Sequence, residues 1–494
     1  MDTPEKQPFS KRLQARLAAS RYATFSVLLH VVIVVMGGSV VLFKRITEPP
    51  DFTAGGGDGL VTQEVQAQPP PPSEQQVEQF TPATPEVNAP EVSAIVSNTQ
   101  TATPFQMPSS VPVVKAMAVT PTQDVAKLLT KTVGHGAGNL PGTMAGRAGG
   151  TARGMAMQKM GGKEKSEKAV MAGLRWLKDH QNEDGSWSDE FKPAMTGLAL
   201  LCFLGHGELD VSPEFGPTVK KAVDWLITRG SEFNGRMSLT KDGWGGNPGV
   251  YQQGMCAYAL GEYYTMTQDD RVKTVLTQAV KFITDGQNSN GGWKYNYEKG
   301  GPSDTSVTGW QVQALKAAHL TGLQLAGVDE ALDKSMGYFK IAQKEDGSFG
   351  YHDKEEGNGY SLAGVGTLCT YFWKQDKDKL VHEGIKCIID KTKKDFPVEY
   401  KSDKADLYAW YYNGQACLMF GGEAWVRWNR WFQDEICDNQ STDGSWPPLP
   451  GRNQGNHSPG GELQFKGNGA GPYYRTTLCV LMLEVYYRYM PTNK

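Results

Sequence analysis

From Glu164 onward the chain alternates two kinds of apolar pattern. "AVMAGLRWLKDHQ" (169–181) sets Val170, Leu174 and Leu177 on one face, the spacing of an amphipathic helix. "AMTGLALLCFLGHG" (194–207) is apolar nearly all round, which in a helix implies burial on every side. The two-beat figure recurs. Amphipathic segments fall near 219–229, 272–285, 331–343, 380–393 and 425–439. More apolar or small-residue partners fall near 252–265, 305–321, 361–373, 408–420 and 474–489, giving six predicted pairs.

One turn separates many of these segments: "QNEDGSW" (181–187), "NSNGGW" (288–293), "QKEDGSF" (343–349) and "QSTDGSW" (440–446), with "KDGW" (241–244) as a shortened copy. From Asp184 the steps are 58 to Asp242, 48 to Asn290, 56 to Asp346 and 97 to Asp443, the last about two units long. The fifth copy would fall at "KKDFPVEYKSD" (393–403), where the motif has degenerated. A period near 50 residues signals a repeat architecture. In the turn, Asp-Gly or Asn-Gly supplies a positive-φ bend, Gln can bond backbone, and the aromatic can pack between repeats. Alternating amphipathic and fully buried helices predict an all-α fold, an α/α toroid of about six helix pairs with an inner barrel inside an outer ring.

The N-terminal third reads differently. Residues 22–43, "YATFSVLLHVVIVVMGGSVVLF", carry no charge over 22 positions, long enough for a membrane-spanning helix. Lys6, Lys11, Arg12, Arg16 and Arg21 precede it and only Lys44 and Arg45 follow closely, which predicts a cytoplasmic N-terminus. Ser26 and His30 lie four apart on one face of this span, and an ionisable group at that depth points to a partner or a proton path. Residues 46–125 hold 13 Pro, including "QPPPP" (68–72), and 134–162 hold ten Gly; both compositions predict flexible tether. The expected division is a basic N-terminus (1–21), a transmembrane helix (22–43), a disordered Pro-rich then Gly-rich tether (44–163) and the toroid (164–491).

Two resemblances accompany these motifs. The basic N-terminus, the span with Ser-x-x-x-His and the Pro-rich stretch resemble TonB over about residues 10–90. That resemblance implies an inner-membrane location, a periplasmic toroid, and coupling of Ser26 and His30 to an ExbB–ExbD-like motor. The chain departs from the family in an acidic Pro-rich segment and in lacking its C-terminal domain. The Q-x-x-D-G-S-W turns on helix pairs resemble the prenyltransferase and squalene–hopene cyclase repeat over roughly 164–491. The match is nearer to uncharacterised bacterial membrane-anchored proteins of that type, through "DTSVTGWQVQALKAA" (304–318), "YYNGQACLMFGGEAWVRWN" (411–429) and "YYRTTLCVLMLEVYYRYMP" (473–491).

The chemistry of those enzymes does not carry over by residue. Cyclases of that type use an Asp-x-Asp-Asp cluster as acid, which is missing; the nearest carboxylate is Asp304 in "GPSDTSVTG", equally suited to cap a helix. "DDRVK" (269–273) lacks the third carboxylate of an Asp-rich magnesium motif. His206, His319, His352, His382 and His457 show no metal-ligand spacing, so no metal and no cofactor are expected. Seven Cys without a CxxC signal neither a disulfide framework nor a zinc site. A net charge of −3 gives no general argument for nucleic acid. What remains is a polar and aromatic set at the starts of the inner helices: Tyr251, Gln252, Asp304, Thr305, Tyr360, Tyr412, Tyr474 and Arg475. Equivalent helix starts share one mouth, so these residues are expected to rim a pocket for a peptide, a glycan or a lipid head group. The expected function is a periplasmic binding or scaffold module, with a terpene cyclase or prenyltransferase-like enzyme acting on an apolar substrate as the alternative.

Overall fold

A computed structural model describes residues 140–237, 248–354, 359–374, 378–448 and 470–491. The anchor (22–43), the Pro-rich tether and the "KDGW" turn lie outside them. Among the described residues no helix is long and apolar enough to cross a membrane.

Helices α1 (Gly150–Met160), α2 (Glu164–Asp179), α3 (Lys192–His206), α4 (Gly216–Glu232), α5 (Pro248–Thr267), α6 (Asp270–Gly286), α7 (Thr305–Leu320), α8 (Val328–Ala342), α9 (Gly359–Lys374), α10 (Lys379–Lys394), α11 (Leu407–Phe420), α12 (Gly422–Asp438), α13 (Ala470–Leu483) and α14 (Val485–Arg488) follow one another. Short 3₁₀ segments occupy Gly142–Arg147 and Tyr295–Tyr297. Odd-numbered α3 to α13 pack in succession and α13 packs back on α3, which closes an inner barrel. Even-numbered α2 to α12 surround it, and α12 meets α2. The six expected pairs and the toroid are therefore present.

Burial follows the sequence pattern. On α2 the stripe of Ala169, Val170, Leu174 and Leu177 is buried beneath a charged outer face. On α11 every residue from Leu407 to Met419 is buried, because neighbours surround it on all sides. Close approach between inner helices relies on small residues. A Cβ on Gly197 would stand 3.0 Å from the Met255 carbonyl oxygen on α5.

The recurrent turn is a staple. The Gln181 side chain donates to Gly185 O at 2.9 Å in its own turn and to Thr218 O at 3.0 Å on the next outer helix. Gln287 reaches Ala331 O on α8, Gln343 reaches Leu380 O on α10, and Gln440 reaches Ala169 O on α2, which ties the last turn to the first. The indole N–H of Trp187, Trp293 and Trp446 each donates to a carbonyl ten residues back, at 2.7–2.8 Å. Gly291 illustrates why glycine holds the bend: its φ is +92°, and a Cβ would lie 2.0 Å from Lys334 O. Where the fifth copy has degenerated, Tyr400 substitutes, its N–H donating to Glu435 at 2.6 Å and its hydroxyl to Pro447 O at 2.8 Å.

The Gly-rich run corrects one expectation. From Leu140 it is packed against the barrel, not loose tether, although its composition reads as flexible. Arg147 is 2 % exposed and donates to Arg488 O (2.8 Å) and Glu262 (2.6 Å). Met490 N–H donates to Thr143 O at 2.6 Å, so the first and last described segments clasp each other. Gly146 lies directly on Tyr487, whose carbonyl oxygen would be 2.5 Å from an added Cβ. Long-range ionic and backbone bonds supply the order that local propensity does not.

Candidate functional site

Because outer and inner helices alternate antiparallel along the chain, all six inner helices run in one sense. Their starts share one end of the barrel, the mouth, and their ends share the other.

At the mouth, Asp304 caps α7 by accepting from Val307 N–H at 2.9 Å. The same oxygen accepts from the Ser306 hydroxyl at 2.5 Å, and the second oxygen accepts from the Tyr295 hydroxyl at 3.0 Å. Tyr295 is bonded in turn to Tyr351, and Tyr251 bonds Ser306 at 2.9 Å. His352 lies beside Tyr351 in an edge-to-face contact and bonds Ser303 O at 2.9 Å. Asp304 is fully buried, while Tyr295, Tyr351 and His352 above it are half-buried. Burial raises the Asp304 pKa, outweighing the bonds from Ser306, Val307 and Tyr351 and the charge of His352, which pull the other way. A carboxyl with an affinity for protons thus sits under a relay of phenols that reaches the surface.

Deeper along the axis, Trp310 stacks on Tyr411 with ring centroids 5.9 Å apart. Gln313 donates to the Tyr412 hydroxyl at 2.9 Å, a bond between α7 and α11, two positions apart in the ring. Among the described residues, the side-chain oxygens of Gln415 on α11 and Gln252 on α5 are buried without a hydrogen-bond partner. At the far end Arg147, Glu262 and Arg488 form a buried ionic group.

The structure sorts the eight expected rim residues. It brings Tyr251 and Asp304 into one hydrogen-bonded cluster and places Tyr412 deeper, against Trp310. Gln252 and Tyr474 are buried near the barrel's start. Thr305, Tyr360 and Arg475 turn away from a common rim. Thr305 bonds Tyr338 on α8, Tyr360 bonds Thr392 on α10, and Arg475 donates to Trp446 O beyond α12. Adjacent residues on a helix point about 100° apart, so neighbours such as Asp304 and Thr305 cannot both face one mouth. Sequence reading missed Tyr295, Ser306 and Tyr351, and weighed His352 only as a metal ligand. A signal existed: Tyr295 and Tyr351 each stand two positions after the aromatic of a repeat turn, Trp293 and Phe349.

A groove of about 350 Å³ on the outer ring, lined by Thr277, Lys281, Asp285, Glu330 and Lys334, includes no residue of the mouth cluster. No group of three metal-ligating side chains occurs among the described residues.

No family model and no curated protein matches the sequence. Solved structures resemble it in outline. The α-1,6-mannanase GH76A of Salegentibacter sp. HEL1_6 is 12% identical with a TM-score of 0.47, over 66% of this chain and 99% of that one. A variant of the type II terpene cyclase MstE from Scytonema, in complex with its substrate geranylgeranyl dihydroxybenzoate, is 13% identical with a TM-score of 0.46, over 66% and 97%. At these values the likeness carries no chemistry across.

Proposed function

We propose that the toroid is a ligand-binding module whose site is the barrel mouth, held at the inner membrane by residues 22–43 with the toroid in the periplasm. The observation that carries the binding reading is the Asp304 cluster: a buried carboxyl, four hydroxyls and an imidazole converge at one end of a closed barrel. Such a surface offers donors and acceptors to a hydroxylated or amide-bearing ligand, with phenol faces for stacking. The sequence reading supports a glycan, a peptide or a lipid head group.

A second reading, acid catalysis on an apolar substrate, draws support from the raised pKa of Asp304, since a carboxyl that holds its proton can donate it. Against it, both carboxyl oxygens already accept hydrogen bonds and one of them caps α7. The binding reading needs no free carboxyl proton, and we prefer it.

The test is purification of the full chain from membranes, with mass spectrometry of co-purifying lipids, glycans and proteins. A ligand enriched with the wild type and lost with Tyr295→Phe and Asp304→Asn supports the mouth as the site. Identical profiles for all three refute it. For the anchor, we propose that the Ser26 and His30 face contacts an ExbB–ExbD-like motor, on the strength of the TonB resemblance. His30→Ala should abolish co-purification of such partners while Val32→Ala leaves it intact; equal behaviour of the two reduces the span to a tether.

A further inference from the structure

Three cations gather round one ring at the end of the barrel opposite the mouth. The Tyr489 centroid is 4.4 Å from Lys316 Nζ, 4.9 Å from Arg147 Cζ and 5.6 Å from Arg488 Cζ. Counter-charge is short. Glu262 pairs with Arg147 at 2.6 Å and lies 3.6 Å from Arg488. The other carboxyl nearby, Glu484, is buried, with neither oxygen hydrogen-bonded among the described residues. Burial pushes its pKa well above the usual range, against the pull of Arg488 and Arg147. Three basic side chains thus surround Tyr489, and the carboxylate ion-paired with them is Glu262, shared by Arg147 and Arg488.

Lys316 is the least enclosed of the three. Arg147 and Arg488 are 2 % and 1 % exposed, whereas Lys316 is only half-buried. Among the described residues it makes no hydrogen bond or ion pair. Its ammonium stands 3.3 Å over the Phe372 ring, with half-buried Leu320 one turn further along α7. Desolvation lowers its pKa to about 7, with Glu262 acting to raise it and Arg147 and Arg488 to lower it further. An unpaired cation in a partly open aromatic setting is what an incoming anion with an apolar body would stabilise, by supplying the missing charge and covering the ring faces.

We propose that this end of the barrel binds an amphipathic anion, a carboxylate or phosphate head group on an apolar chain, through Lys316 with Phe372 and Tyr489. The site is distinct from the mouth. Lys316 lies twelve residues beyond Asp304 on α7, about 18 Å along the helix.

The experiment is calorimetric titration of the full chain, in non-ionic detergent, with hexyl phosphate, hexanoate, inorganic phosphate and hexanol. Either hexyl anion should bind saturably, at least tenfold more tightly than inorganic phosphate, and hexanol should not bind. Lys316→Gln should weaken the anion at least tenfold, and Lys281→Gln, on the outer ring, should leave it unchanged. Lys316→Met provides a second uncharged variant of similar length should the glutamine disturb folding. Unaltered binding in the Lys316 variants overturns the proposal, as does absence of saturable binding of both hexyl anions. Equal affinity for inorganic and hexyl phosphate overturns the amphipathic part.

Discussion

Replacing Arg147 by Met tests whether the segment before α1 belongs to the barrel. The substitution keeps most of the side-chain length but removes the cation 2.6 Å from Glu262, where both side chains have no exposure. Breaking a buried pair from one side costs about 3–5 kcal/mol, because the remaining charge is stranded. Here Arg488, 3.6 Å from the other Glu262 oxygen, still compensates in part, so the lower figure applies. For the roughly 310 described residues of the toroid the unfolding entropy is about 0.65 kcal/mol/K, so a loss of about 3 kcal/mol lowers Tm by about 5 °C. The assay is thermal unfolding of the full chain by circular dichroism, for Arg147→Met, Glu262→Gln and the double variant. The double variant should melt above Arg147→Met, since no carboxylate is stranded. The pH dependence has a definite sign. Burial acts to raise the Glu262 pKa, but Arg147 and Arg488 hold it below the usual value. A depressed carboxylate stabilises the fold above its unfolded pKa and ceases to do so as pH falls through its folded one. The gap between wild type and Arg147→Met should therefore narrow below about pH 4.5. An unchanged Tm for Arg147→Met, or a double variant no better than the single, would refute the reasoning.

Further outcomes can be read from single substitutions. Gly291→Ala, with φ at +92° and a carbonyl oxygen 2.0 Å from the new methyl, should lower stability by more than about 3 kcal/mol, at the upper end for point mutants. Gly337→Ala, on an exposed turn of α8 with nothing within 4 Å, should raise it by about 0.5–1 kcal/mol; denaturant titration separates the two. Gln440→Ala removes the bonds to Ala169 O and Gly444 O and should cost about 1–2 kcal/mol, with faster hydrogen exchange at the junction of α2 and the last turn. At Asp304 the raised folded pKa means its contribution is full below the unfolded value and is lost as pH rises through the folded one. Asp304→Asn should then match or exceed wild-type stability at pH 7, whereas Asp304→Ala should lose the helix cap and about 1 kcal/mol; a wild-type advantage over Asn would contradict this.

The fold was legible where the determinant was local and periodic. Six helix pairs and the Gln-Asp-Gly-aromatic turns follow from spacing alone, because each turn's bonds close within a few residues or onto the next outer helix. The plug at the barrel's end was not legible. Arg147 meets Glu262 and Arg488, which lie 115 and 341 positions away in sequence, and Gly, Ala and Met around it carry no periodic signal. The mouth fell between these cases. Helix starts point to Tyr251 and Asp304 as neighbours, but a single step along each helix sends Thr305, Tyr360 and Arg475 outward. Tyr295 and Tyr351 come from the turns, whose repeated motif signals structure and hides the phenols beside it.

The Gln440–Ala169 bond has an evolutionary corollary. A linear array of repeats can lengthen or shorten at either end, one unit at a time, and still fold. A closed circuit cannot, because dropping one pair would change the angle at every other joint and open the seam between the last turn and α2. The copy number is thus frozen by geometry, while individual motifs remain free to drift. The fifth turn fits that picture: it lacks the shared motif, yet Tyr400 ties it to Glu435 and Pro447 and the ring still closes.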